Sequence, residues 1–204
     1  MAAGDTPVSI CSDALILLGA KPISSFNDGT DEANTADRLY PNIRDSALMM
    51  QPWSFAYKKV RLSQLLTTPI NEWQYKYQMP GDSLGNPRAV FNTSAIYARP
   101  VKEWEIQGTE LITNELEVYI DYPYRTPEYA MPSYFVQFLK YMVAWHLAYP
   151  ISEQQDKASY WQSVAIGGAS ENNRGGYFRT AANIDSQGQP SQVIEDFSLI
   201  AVRY

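Results

Sequence analysis

EWQYKYQ (72–78), VKEWEI (101–106) and LEVYIDY (116–122) decide how this fold is read, because in each of them apolar or aromatic residues alternate with polar ones. A period of two sends successive side chains to opposite faces, so each stretch predicts a β-strand with one face buried. PGD (80–82), GNP (85–87), RP (99–100), QGT (107–109) and TN (113–114) supply turn chemistry between these runs. Such short spacings favour antiparallel connections over crossover helices. A small antiparallel sheet or sandwich is therefore expected between Trp53 and Tyr124.

Outward from this region the period lengthens to nearly four. On the N-terminal side, Thr6 is placed to cap a helix that has Pro7 at its first position, Val8, Cys11, Leu15 and Leu18 on one face, and Gly19 as its stop. A second helix starts at Thr30, with Asp31 and Glu32 where the helix dipole favours acids, and carries Ala36, Leu39, Ile43, Ala47 and Met50 on one face up to Pro52. Pro41 lies inside it and predicts a kink or a break. On the C-terminal side, Phe135, Phe138, Leu139, Met142, Val143 and Leu147 give a largely buried helix from Pro132 to Pro150. Ser152 with Gln155 resembles a capping box that opens a fourth helix through Trp161 and Val164 to a stop at Gly167 and Gly168.

Residues 170–192 are rich in Gly, Asn, Ser and Gln without an apolar period, and Gly175 with Gly176 reads as a flexible linker. VIEDFSLIAV (193–202) then returns as a strand-like apolar run with no evident partner in the chain. The expected fold class is α+β: an antiparallel bundle of about four helices with an inserted small antiparallel β-sheet or sandwich and an extended C-terminal tail. Its units are an N-terminal helical hairpin (1–51), the β platform (52–127), a C-terminal helical hairpin (128–168) and an extended arm (169–204). The arm is expected to be disordered in the isolated monomer and to order on assembly.

Composition narrows the function. With 45% hydrophobic residues among 204, the chain can bury a core. Its 16 Lys and Arg against 22 Asp and Glu argue against an outer surface that wraps nucleic acid, although an acidic wall would let a duplex slide past. One cysteine excludes an intramolecular disulfide and one histidine disfavours a zinc site, so a reducing compartment and no metal are expected. No basic and apolar leader begins the chain and no eighteen apolar residues run together, so neither export by a signal peptide nor a membrane span is expected.

Catalytic chemistry finds little purchase. Glu103 and Glu105 share one face of a strand, with Glu110, Glu115 and Glu117 nearby, and a glycan hydrolase needs two carboxyls across a cleft. The solvated face of a sheet explains them without catalysis. His146 lies on an apolar helix next to Trp145, and Cys11 on the apolar face of the first helix; both read as packing residues. The glycine pairs lack the context of a phosphate loop. Five Trp and fifteen Tyr fit core and interface packing before a carbohydrate site. No catalytic, cofactor-binding or metal-binding residue is assigned, and a non-enzyme is expected; the alternative is a neck-associated peptidoglycan or glycan hydrolase using Glu103 or Glu105, or a carbohydrate-binding module.

LLGAKP (17–22) after the first helix, DEANTA (31–36) opening the second, QPWSF (51–55) at the exit to the strands and EYAMP (128–132) before the aromatic-rich helix follow one another in a recognisable order. Over residues 8–165 this order resembles the tail tubular protein A, or head-to-tail adaptor, family of tailed bacteriophages. The resemblance implies a dodecameric ring under the portal protein, with helices around a DNA channel and β platforms facing outward or toward the tail nozzle, tube or fibre. It also implies location in the neck of the virion after assembly in the host cytoplasm, DNA passing the lumen without sequence-specific contact, and no membrane partner. Pro41 and the tail after Gly168 depart from the family pattern, and the resemblance implies an adaptor of short- or long-tailed phages alike. A flexible linker followed by an apolar strand suits edge-strand addition to a neighbour or to the portal, which nominates Arg174, Arg179, Val193, Ile194, Phe197, Leu199, Ile200, Arg203 and Tyr204 as interaction residues.

Overall fold

The computed structural model describes residues 5–70 and 72–188. It is an α+β arrangement of five helices and two three-stranded antiparallel sheets among the described residues. Helix α1 (Pro7–Leu18) is closed at its start by Thr6 and Ser9, whose side chains each accept the other's backbone N–H, at 3.1 and 2.9 Å. Gly19 ends it at φ 75°, a left-handed conformation that glycine adopts without steric cost. Helix α2 (Asp31–Met49) begins where the Thr30 hydroxyl accepts the Ala33 N–H.

Pro41 does not break α2, which is continuous through it. The residue is exposed and so is Asp37, one turn earlier, so the carbonyl that the missing donor leaves free lies on the solvent-facing side of the helix, where water can satisfy it. Helix α3 (Ser133–Ser152) likewise runs two residues past Pro150, where the chain was expected to stop. The same explanation holds, since His146 and Pro150 are both at the surface. The expected capping box at Ser152 is absent: its hydroxyl donates back to the Ala148 carbonyl inside α3 (2.6 Å). Glu153, at φ 54°, and Gln154 alone join α3 to α4 (Gln155–Ile166).

The expectation of an extended arm from residue 169 fails over its first part, because Gly176–Gln187 forms helix α5, packed on α3 and α4. Gly175 and Gly176 are no flexible linker either. Gly176 starts the helix at φ 53°, and a Cβ there would lie 2.6 Å from the Val164 carbonyl, so α5 is pressed against the end of α4. Residues 189–204, the remainder of the expected arm, lie outside the described residues.

Helix α3 is the centre of the helical part, touching α1, α2, α4 and α5. Its Phe135, Phe138, Leu139, Val143 and Leu147 are fully buried among Ile10, Leu15, Ala36, Trp53 and Ala181 from the surrounding elements. Between α2 and α3 the strands are β1 (Tyr57–Arg61), β2 (Tyr75–Gln78), β3 (Ala89–Phe91), β4 (Trp104–Gln107), β5 (Glu110–Thr113) and β6 (Tyr119–Pro123). They form sheets of order β1-β6-β3 and β2-β5-β4. The three alternating runs of the sequence contain or overlap β2, β4 and β6, each shorter than its run. Tyr77 and Leu111 of one sheet meet Val90, Ile120 and Tyr122 of the other in a second apolar core shared by both.

Polar bridges tie this strand part to the helices. Arg125, just after β6, grips both carboxylate oxygens of Asp45 on α2 (Oδ2 at 2.7 Å, Oδ1 at 3.1 Å). Buried Glu128 accepts from the Tyr40 hydroxyl (3.0 Å) and from Arg44 (3.2 Å), also on α2. Leaving such a buried carboxylate unpaired would cost several kcal/mol, so these bonds orient the two parts.

Candidate functional site

The surface with the most unusual chemistry is the outer face and edge of β1. Its sequence, YKKVR (57–61), is too polar to signal a strand by alternation, and no alternating run covers it. It forms because its partner β6 carries the apolar pattern, in the register Lys59 opposite Asp121 and Arg61 opposite Tyr119. On the exposed face the cations cover aromatic rings. The Arg88 guanidinium lies 4.6 Å from the Tyr57 ring centre, the Lys59 ammonium 5.6 Å from that of Phe91, and the Arg61 guanidinium 5.9 Å from that of Tyr119. Arg88 is paired with Asp121 (2.8 Å) and Arg61 with Glu117 (2.9 Å), whereas Lys59 has no carboxylate at ion-pairing distance among the described residues.

Lys59, Arg61, Phe91 and Tyr119 floor a cleft of about 420 Å³ whose wall is the loop Thr93–Ala98. An unpaired ammonium beside apolar rings is suited to an anionic group carried on an apolar segment. The ring faces are already occupied by the protein's own cations, which leaves no flat aromatic row of the kind a sugar platform presents. The loops after β1 and β3 and before β6 carry Leu66 and Ile70, Ile96 and Tyr97, and Leu116, all exposed, with Ile96 and Tyr97 each 92% exposed. These five are the most exposed apolar side chains of the strand part, and the helical part exposes Ile16, Met49, Tyr129, Tyr149 and Tyr160 as well.

The backbone of β1 is also open. The Leu62 N–H donates to the Val118 carbonyl (2.9 Å) and the Ala56 carbonyl accepts the Tyr124 N–H (3.0 Å), so the even-numbered residues bond β6. By the two-residue period, the N–H and C=O groups of Tyr57, Lys59 and Arg61 then point away from the sheet.

On the inner side Lys58 donates to Asp82 (3.0 Å), which also accepts from the Tyr122 hydroxyl (2.8 Å). Burial alone would raise the pKa of Asp82, but the two donors outweigh it and hold the carboxyl below its usual range. Burial and the Asp82 hydrogen bond push Tyr122 up to about 12. The Asp82 contribution is present above the ordinary carboxylate pKa and is lost as pH falls through the lowered one. The Tyr122 contribution is present below the ordinary phenol pKa, about 10, and is lost as pH rises through the raised one. Urea unfolding across pH should therefore show stability declining at both ends, and Asp82→Asn should flatten both limbs; limbs unchanged by that substitution would refute the assignment.

The other residues weighed from sequence are scattered. Glu103 and Glu105 are exposed at β4, and neither lines the cleft on β1. His146 stacks on Trp145 (4.3 Å between ring centres) and borders a groove with Leu39, Asn42, Ile43 and Ser46 of α2, where desolvation lowers its pKa. Cys11 is fully buried, and burial, reinforced by Glu128 and Asp37, pushes its thiol up to about 12. Arg174 is exposed before α5, and Arg179 on α5 pairs with Glu171 (3.1 Å), so this pair belongs to the α4–α5 corner. Val193, Ile194, Phe197, Leu199, Ile200, Arg203 and Tyr204 lie outside the described residues. No cluster of three His, Cys, Asp or Glu placed for a metal occurs among the described residues, and no helix there is long and apolar enough to cross a membrane.

Missing from the sequence reading was Asp185, an acid that is 3% exposed on α5. It accepts the Ser54 N–H (3.0 Å), the Ser54 hydroxyl (2.6 Å) and the Tyr134 hydroxyl (2.6 Å), fastening the end of α5 to the entrance of β1. The only sequence signal was the spacing of Phe178, Ala181 and Asp185 on one helical face, and its polar member hid it. Compared with known proteins, the chain matches no protein-family model and no curated protein significantly.

Proposed function

We propose that this chain is a structural subunit of a tailed-phage neck: a head-to-tail adaptor whose copies assemble as a ring, of twelve subunits by family resemblance, under the portal protein. The observation that carries the reading is the division of surfaces. One helical body built from both flanks of the chain supports a β platform, and the platform's loops expose Leu66, Ile70, Ile96, Tyr97 and Leu116. A monomer with that display is incomplete, and a ring closed by a tail component would cover it. In this reading the helical body packs subunit to subunit around the DNA channel, the platform meets the nozzle, tube or fibre, and the chain beyond α5 joins a neighbour. The net charge of −6 suits a lumen that DNA passes without being held.

Electron microscopy and mass photometry of the full chain, with and without the portal protein of the same virus, test this. Rings of twelve on the portal are expected. A chain that stays monomeric with saturating portal, or that clears cell-wall substrate in a zymogram, overturns it.

A further inference from the structure

The free edge of β1 has one property that the other sheet edges lack. The outer edge of β2 is covered, since Leu65 donates to the Lys76 carbonyl (2.8 Å), and that of β3 is met by Val101, which donates to the Val90 carbonyl (2.7 Å). The β4 edge carries acids, Glu103 and Glu105. Only β1, among the described residues, is both uncovered and basic, with Lys58, Lys59 and Arg61. Lysines on an edge keep two such edges from pairing with one another. They also select a strand of opposite charge.

The chain supplies such a strand. Residues 193–202 read VIEDFSLIAV, with two adjacent acids inside an apolar run. We propose that this segment of a second copy of the chain pairs antiparallel with the free edge of β1. One register matches four of the five residues of β1: Glu195 opposite Lys59, Asp196 opposite Lys58, Ile194 opposite Val60 and Phe197 opposite Tyr57, with Val193 opposite Arg61, whose guanidinium Glu117 already pairs. Opposite charges and apolar or aromatic pairs facing one another each favour this alignment. Tyr57, Lys59 and Arg61 then bond the incoming backbone through the groups that point out of the sheet. Glu195 comes to the one cleft cation without a carboxylate partner.

Chain length indicates a second copy rather than the same one. Asp185 holds the end of α5 at Ser54, beside the start of β1, while the antiparallel register places Val193 at the Arg61 end. That path covers about 20 Å of turn and strand, and the eight residues from Asp185 to Val193, the first three of them helical, span about 22 Å only when the rest is fully stretched, which leaves none for the reversal into an antiparallel strand. A neighbour has no such limit, and donor and acceptor surfaces that differ generate a ring or a helix of subunits. The inference rests on the adaptor reading and names the partner surface within it.

Two variants of the full chain that each add one cysteine, Val60→Cys and Ile194→Cys, test the proposal under mild oxidation. These positions face each other as a pair without mutual hydrogen bonds, the closest spacing in an antiparallel ladder and one that a disulfide can bridge. Cys11 is fully buried and stays silent. Mixing the variants should give a disulfide-linked heterodimer. Lys59→Glu should lower its yield at least tenfold, and Glu195→Lys on the donor should restore it. A yield indifferent to both charge changes, or a double variant that closes its disulfide within single chains, overturns the proposal. Rings that form without this crosslink overturn strand donation and leave the adaptor reading standing; crosslinked pairs or open chains that never close on a portal do the reverse.

Discussion

Trp53→Ala is expected to lower the unfolding free energy by about 3–5 kcal/mol, the usual cost of deleting a buried large aromatic. Trp53 is fully buried where α2 ends and the chain turns into the platform. Its ring meets Phe135 at 5.1 Å, Phe178 at 5.9 Å, Phe138 at 6.1 Å and Phe55 at 6.2 Å between centres. Its indole N–H donates to the Ala47 carbonyl at 3.0 Å. One side chain thus joins α2, α3, α5 and the turn before β1. Truncation removes its contacts with all four and leaves a cavity that helices held by so many other contacts cannot close. Trp53→Phe keeps much of the volume and loses the hydrogen bond, for about 1–2 kcal/mol. Urea unfolding followed by circular dichroism reads both, and a loss below about 1 kcal/mol for the alanine variant would show that Trp53 is not the junction.

Asp185→Ala should cost about 2–3 kcal/mol, since the carboxylate satisfies three donors and its removal strands the partly buried Ser54 N–H and Tyr134 hydroxyl. Burial and this carboxylate also raise the pKa of Tyr134, which keeps the phenol neutral and donating. The loss should be local first. Amide exchange in residues 176–187 should quicken at least tenfold while α3 stays protected, because α5 has Phe178 and Ala181 as its buried apolar residues and leans on this acid for the rest. Asp185→Asn, which keeps one acceptor oxygen, should recover part of the protection. Uniform acceleration across α3 and α5 would mean that α5 has no separate opening and that the tether adds nothing of its own.

Much of the architecture was legible in the residues because its signals are short-range. The caps at Thr6 and Thr30 and the stop at Gly19 work through groups within one turn of themselves, and each forms as read. The runs behind β2 and β4 alternate because one face of each strand is the more buried, a pattern that survives in any partner arrangement, whereas β6, read from the same alternation, is buried on both faces as the middle strand of its sheet. The prolines misled for the opposite reason. Whether Pro41 or Pro150 breaks a helix depends on whether water reaches the carbonyl one turn back, which is a property of the folded surface.

The interaction surface was less legible still. β1 is a strand because β6 offers it a ladder, and α5 is a helix on α3 and α4 because Phe178 finds Trp53 and Asp185 finds Ser54 and Tyr134. β1 carries too little apolar periodicity to announce itself, whereas α5 does carry a helical spacing, in Tyr177, Phe178 and Ala181, that the surrounding Gly, Asn and Ser concealed. Local chemistry was sufficient for the helical character of α1 to α4, the capped starts of α1 and α2 and the strand character of the middle. The pairing of the sheets, the docking of α5 and the exposure of a basic edge required residues far apart in sequence to meet, because burial and hydrogen-bond satisfaction are settled between elements and not within them.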